Sequence, residues 1–175
     1  GGVSQRSLAV DTNMDVVRKV MEVNFFGAVT LTHKVLPSML KRKKGHIIVT
    51  SSVMGKFGTR VRSSYAASKH ALHGYFDSLR QEVHEHNIRV TLVCPGFIKT
   101  NVTKNALQGD GSLHGKMGKG QEEGMEAKAF VEKLLPRIQK GEEEIYIGGK
   151  EIWGVYLKRL FPTLFYKLLR KADVT

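Results

Sequence analysis

Apolar residues in this chain recur with two different periods. From Met14 to Leu40 they fall at 16, 17, 20, 23, 26, 29, 31, 35, 36, 39 and 40. That three-and-four spacing is a buried helix face, and it predicts two helices or one broken helix, with Pro37 bending the last turn. A second helical pattern runs from Ser64 to about Glu85. Tyr65, Leu72, Phe76, Leu79 and Val83 share its inner face and no proline interrupts it. His46–Ser52 and Ile88–Cys94 are short, β-branched apolar runs, which predict buried parallel strands. A further helix over 124–140 and a short strand over 144–149 continue the alternation. Strand, helix, strand in this rhythm is a βαβ unit, so the predicted class is α/β with a parallel sheet. Ligands of such sheets bind beyond the carboxyl ends of the strands, where Ser51-Ser52 and Pro95-Gly96 fall.

The polar segments punctuate this pattern. Gly1–Thr12 is serine-rich and loop-like, expected as a frayed end, and Asp11-Thr12-Asn13 offer N-caps before Met14. Lys41-Arg42-Lys43-Lys44-Gly45 reads as a solvated helix end, with cations on the negative pole and Gly45 at the left-handed C′ position. Residues 99–124 are glycine-rich and predict a mobile loop or lid. Gly109-Asp110-Gly111 and Gly118-Lys119-Gly120 imitate phosphate-binding loops, but neither follows a strand. The tail 151–171 interleaves Trp153, Leu157, Leu160, Leu164 and Leu168 with Lys158, Arg159, Lys167, Arg170 and Lys171. Two readings stand for it: packing on its own domain, or lying on an anionic membrane. Pro162 divides it into two short helices.

Composition changes this picture at three points. The 175 residues suffice for one domain with a core. The net charge of +12 admits nucleic acid, anionic membrane or acidic ligands as partners. No nucleic-acid motif accompanies that charge, so no nucleic-acid partner is expected. The single cysteine, Cys94, excludes an internal disulfide and suggests a reducing compartment on the cytoplasmic side. His70 and His73 are spaced i, i+3 without a cysteine or third ligand nearby in sequence, so no metal is expected.

Candidate chemistry centres on Tyr65 and Lys69, four apart and therefore on one helix face. A free phenol titrates near pH ~10, and an ammonium held beside it favours the phenolate. Ser52 ends a strand upstream, Asn24 sits in the preceding helix, and Pro95–Thr100 leaves the next strand at the same sheet edge.

Val23-Asn24-Phe25-Phe26-Gly27, Gly45–Ser52, Tyr65-Ala66-Ala67-Ser68-Lys69 and Pro95-Gly96-Phe97-Ile98-Lys99-Thr100 together resemble the motifs of the short-chain dehydrogenase/reductase family, nearest to its member 7-type branch and bacterial relatives. The resemblance implies the C-terminal part of a doubly wound, Rossmann-like fold. It divides the chain into a partial domain over 1–150 and a basic amphipathic extension over 151–175. It implies a carbonyl–alcohol oxidoreductase using NAD or NADP, with NADP favoured. Tyr65 is the expected general acid/base, Lys69 lowers the Tyr65 pKa and binds the nicotinamide ribose, Ser52 holds the substrate oxygen, and Asn24 holds a proton-relaying water. Gly2, Pro95, Gly96, Ile98 and Thr100 join Asn24, Tyr65 and Lys69 around the cofactor.

Gly1-Gly2 stands where the family's Asn-Asn-Ala-Gly segment ends, with Gly1 in place of alanine. The family's glycine-rich cofactor turn is expected before Gly1, so the chain reads as a fragment that is inactive alone. A catalytically incompetent remnant, serving pairing or membrane association, is the alternative. The resemblance further implies a homodimer or homotetramer through the 14–40 and 64–85 helices. The apolar tail suggests a hydrophobic carbonyl or alcohol substrate and peripheral membrane contact through 151–171.

Overall fold

A computed structural model of the chain describes residues 2–172. Gly1, placed at the family's alanine position, and residues 173–175, the end of the predicted extension, lie outside the described residues. Helix α1 (Met14–Met21) passes through a π turn (Glu22–Phe26) into α2 (Gly27–Arg42). Strand β1 (Gly45–Thr50), helix α3 (Ser63–Val83) and strand β2 (Ile88–Pro95) follow. After a long connection come α4 (Lys119–Glu122), α5 (Ala127–Gln139), β3 (Glu144–Ile147), α6 (Trp153–Leu160) and α7 (Pro162–Leu169). The three strands pair in parallel in the order β1-β2-β3, with Gly45 opposite Ile88 and Val93 opposite Ile145. This is the α/β class with a parallel sheet that the periodicities predict, in the Rossmann-like arrangement that the resemblance implies.

The core forms where α3 lies on the sheet. Leu72, Phe76, Leu79 and Val83 pack on Ile47, Val49, Ile88, Val90 and Leu92, all nearly inaccessible to water. Burying each such side chain contributes about 1.5–3 kcal/mol, so this face fixes how α3 is presented. The expectation that β1 is buried holds on one face only. Ile47 and Val49 point into the core, whereas Ile48 on the opposite face is 45% exposed, where none of the described helices covers β1.

The break expected within Met14–Leu40 is the π turn over Glu22–Phe26, closed by a Gly27 N–H to Glu22 carbonyl bond. Helix α2 runs through Pro37 as far as Arg42. Lys43, not Gly45, takes the left-handed position after it, with φ 49°. Gly45 instead opens β1, where a Cβ would stand 2.6 Å from the Met39 sulfur, so its smallness serves helix–strand packing.

Two irregular segments are more ordered than their composition suggests. Ser4 and Gln5 are completely buried, which corrects the frayed-end expectation for Gly1–Thr12. The Gln5 amide oxygen accepts from the Ser64 N–H and hydroxyl, satisfying an open donor at the start of α3. The 99–124 connection is tied to this segment rather than hanging free. Arg6 N–H donates to the Leu107 carbonyl at 2.8 Å and Leu107 N–H to that of Ser4 at 2.9 Å, with Thr103 and Ala106 fully buried.

The tail packs on its own domain through one face. Val155 and Phe165 close over Val53 and Phe57, and Lys158 donates to the Lys56 carbonyl at 2.5 Å. The other face leaves Trp153 (73%), Leu160 and Phe161 exposed. No helix among the described residues is long and apolar enough to cross a membrane.

Candidate functional site

Three carboxyl-terminal strand ends and one helix start converge. β1 runs into Ser51-Ser52, and the Ser52 hydroxyl accepts from the Met54 N–H at 3.1 Å, which starts a short turn. Tyr65 lies in the first turn of α3, and its phenol stands against the Ser52 side chain, which lowers its pKa. Lys69, one turn on, is nearly buried. Its Nζ lies 5.7 Å from the Tyr65 ring centroid and donates to the Thr50 carbonyl at 2.9 Å.

Asn24 joins the group from the π turn. Its amide donates to the Val3 carbonyl and to Ser68 Oγ, each at 2.9 Å, and its oxygen accepts from the Val3 N–H at 2.8 Å. Ser68 in turn donates to the Tyr65 carbonyl. The Asn24 side chain therefore locks the Gly2–Val3 segment to α3. A proton relay through Asn24 has to use its backbone, since the amide is already engaged. A Cβ on Gly2 would come within 3.2 Å of Asn24 Oδ1 and 3.9 Å of Lys69 Nζ, so Gly2 keeps that approach open.

Electrostatics refine the sequence reading. Burial raises the Tyr65 pKa; the Ser52 hydrogen bond and the charge of Arg62 oppose that rise. Arg62, a residue sequence reasoning missed, is thus a cation favouring the phenolate, and Lys69 Nζ stands 5.7 Å from the same ring. Lys69 turns its ammonium to the Thr50 carbonyl, and burial brings its own pKa down to about 8. Arg62 is itself buried, donates to Ser4 Oγ at 2.8 Å, and is lowered to about 10 by burial and by Arg6. Val61, just before it, has φ 56°, an uncommon conformation for a β-branched residue that stores strain where the chain turns Arg62 inward.

Pro95 ends β2 at the same edge. The space a Cβ would need at Gly96 is taken by the Glu151 carboxylate, whose Oε1 accepts from Phe97 N–H at 2.7 Å and Gly149 N–H at 2.9 Å. Glu151, also missed from sequence, ties the exits of β2 and β3 together. Ile98 is partly buried and bridges to Met125, whereas Thr100 is exposed and outside the buried group.

A second polar cluster lies behind Ser52. His73 Nε2 is 3.1 Å from Ser51 Oγ and 3.6 Å from Cys94 Sγ, and its Nδ1 is 3.2 Å from Glu144 Oε1. Lys56 Nζ stands 2.5 Å from the same oxygen. Cys94 and Glu144 thus supply His73 with the companions its sequence neighbours lack. Burial alone would raise the Glu144 carboxyl, but His73 and Lys56 outweigh it and hold it at about 2, against an ordinary 4.5. A depressed carboxyl stabilises the fold above pH 4.5, and that contribution is lost as pH falls from 4.5 towards 2. Because Glu144 is 35% exposed, the expected loss is roughly 1–2 kcal/mol. Denaturant melts across this range should show it, and Glu144→Gln should flatten the dependence.

The family model described as short chain dehydrogenase matches residues 1–111. Dehydrogenase/reductase SDR family member 7B of Xenopus laevis is 43% identical over 169 residues, covering 96% of this chain and 52% of that protein. Dehydrogenase/reductase SDR family protein 7-like of Drosophila melanogaster is 43% identical over 175 residues, covering 99% and 54%. The chain therefore spans about half the length of these curated relatives. A short chain dehydrogenase from Burkholderia cenocepacia, solved with NADP, superposes with a TM-score of 0.80 at 22% identity over 97% of this chain and 65% of its own. One from Streptomyces avermitilis gives 0.72 at 25% identity over 98% and 69%.

Proposed function

This chain belongs to the short-chain dehydrogenase/reductase family, and we propose from that premise that it carries the acid–base half of an NAD(P)-dependent oxidoreductase interconverting a carbonyl and an alcohol. The observation that carries this reading is the contact of the Ser52 hydroxyl with the Tyr65 phenol, with the Lys69 ammonium one turn away. Three groups able to donate to, or charge-stabilise, one oxygen converge at the carboxyl ends of parallel strands, where such folds take ligands. A nicotinamide, when bound, supplies or accepts the hydride.

Every other part of the chemistry belongs to the chain's own residues. Ser52 positions the substrate oxygen against Tyr65 and stabilises charge developing there. Tyr65 gives its proton to that oxygen in reduction and takes it back in oxidation. A phenol is protonated at neutral pH, and burial raises the Tyr65 pKa further, which suits donation to a carbonyl. Arg62 offsets the cost of the phenolate left behind. Gly2, beside Lys69 and Asn24, leaves the open backbone approach that a ribose needs. Pro95, Gly96, Ile98 and Thr100 stand at the strand exit that would face the nicotinamide. NADP is the form we favour, on family resemblance.

The test follows nicotinamide absorbance with a panel of carbonyls. Apolar ketones and aldehydes should be reduced faster than small polar ones, and Ser52→Ala should lower turnover by about 10²-fold. Small polar ketones reduced best would overturn the substrate class, and full activity in Ser52→Ala would overturn the role of Ser52.

Two surfaces complete the proposal. Helix α2 exposes Leu31 (68%) and Val35 (43%), an apolar face that supports pairing with a second copy through the 14–40 and 64–85 helices. The outer face of α6 and α7 exposes Trp153, Leu160, Phe161 and Leu164 among Arg159 and Lys167, which supports contact with an anionic bilayer. Co-sedimentation with vesicles should rise with their anionic lipid content and fall when Trp153 and Leu160 are both changed to Ser. Equal recovery with neutral and anionic vesicles would overturn the charge component.

A further inference from the structure

We propose that His73, Cys94 and Glu144 form a binding site for one divalent cation of the zinc class, separate from the Ser52–Tyr65–Lys69 group. The inference rests on side-chain geometry and does not depend on the redox reading. One ligand atom from each of the three residues lies within 4.8 Å of the other two. The 3.2 Å between His73 Nδ1 and Glu144 Oε1 is close to the separation that a tetrahedral ion imposes, since bonds of ~2.05 Å to nitrogen and ~2.1 Å to oxygen span about 3.4 Å. Mixed sulfur, nitrogen and carboxylate donors suit zinc, cobalt and cadmium rather than magnesium or calcium.

Independent of this convergence, one atom in the cluster is unsatisfied. His73 Nδ1 is buried and lacks a hydrogen-bond partner of proper angle, although it stands 3.2 Å from Glu144 Oε1, the oxygen that Lys56 holds. Their contact is one of charge and distance, without alignment. Buried polar atoms in that state favour a further partner.

Charge balance favours exchange rather than simple addition. In this structure the Lys56 ammonium neutralises Glu144, and Cys94 is a buried free thiol. A divalent ion bound by thiolate, carboxylate and neutral imidazole is likewise neutral overall. Binding therefore forms bonds to sulfur, nitrogen and oxygen, releases the Cys94 proton to solvent, and returns the Lys56 ammonium to water. Glu144 is the adjustable member, because it opens β3 and is partly exposed.

The site also reaches the catalytic helix. The Ser51 hydroxyl next to His73 Nε2 donates to the Lys69 carbonyl at 3.2 Å. Ligation through Nδ1 leaves the proton on Nε2, which donates to the Ser51 hydroxyl, so occupancy is felt on α3 without any change in Ser52, Tyr65 or Lys69.

Titration of the 175-residue chain with cadmium alone tests this. A thiolate-to-metal ultraviolet band should saturate at one ion per chain. Cys94→Ser should abolish it, His73→Gln and Glu144→Gln should each weaken affinity at least tenfold, and Lys56→Gln should tighten it several-fold. X-ray absorption on the zinc-loaded wild-type chain should find one sulfur among nitrogen and oxygen neighbours, a readout that stands even if a core variant fails to fold. No saturable band, a sulfur-free zinc shell, or unchanged affinity in both His73→Gln and Glu144→Gln would overturn the site. Unchanged affinity in Lys56→Gln would overturn the exchange.

Discussion

Tyr65→Phe should lower the turnover of carbonyl reduction by about 10²–10⁴-fold while leaving the dissociation constant for the nicotinamide cofactor within about twofold. The change removes one hydroxyl from a ring whose position is set elsewhere. Its carbonyl is held by Ser68, its helix start is capped by Gln5, and its helix is anchored by Leu72 and Phe76 in the core. The lost function is then proton donation alone. The measurement is kcat with a saturating carbonyl beside cofactor affinity from fluorescence. A variant retaining more than a tenth of wild-type turnover would remove Tyr65 as the acid. Loss of cofactor affinity equal to the loss of turnover would make it a binding residue instead.

Lys69→Met should make the protein inactive and more stable at once. Burial brings the Lys69 pKa to about 8 from an ordinary 10.5. The folded state therefore holds fewer protons than the unfolded state between those values, and stability rises with pH across that window. Below pH 8 the cost of the buried ammonium is fully present. At ~1.4 kcal/mol per pH unit it amounts to about 3 kcal/mol, reduced by the loss of the bond to the Thr50 carbonyl. Methionine fills similar volume without charge, so Lys69→Met should gain about 1–3 kcal/mol at pH 7, and the gain should vanish above pH 10.5. Denaturant midpoints at pH 7 and pH 10.5 check this. A variant destabilised at pH 7 would mean that the ammonium is structural, contributing more through Thr50 than its burial costs.

These two outcomes together describe a site in which function opposes stability. A buried lysine in the second turn of α3, and a buried arginine and a strained Val61 just before it, stand around one phenol. Core packing of α3 compensates them.

Much of this arrangement was legible in the linear pattern. The 3.6-residue period of Leu72, Phe76, Leu79 and Val83 identifies the inner face of α3. The β-branched runs identify β1 and β2. Tyr65 and Lys69 share a face because helical geometry requires it, and Ser52 follows β1 because the apolar run stops there. These are local facts, decided within about a turn of helix or one strand.

What only the tertiary structure decided are the partnerships between distant segments. Gln5 capping α3, Arg62 turning towards Tyr65, Glu151 bridging two strand exits, and Cys94 and Glu144 meeting His73 all join residues with no common period. Polar side chains satisfy themselves with whatever the fold brings near, and a single sequence records their identity but not their neighbours. The chain by itself determined the helices, the strands and the face that carries Tyr65. Which cation faces that phenol, and which donors gather behind Ser52, followed from desolvation and packing once the sheet had closed under α3.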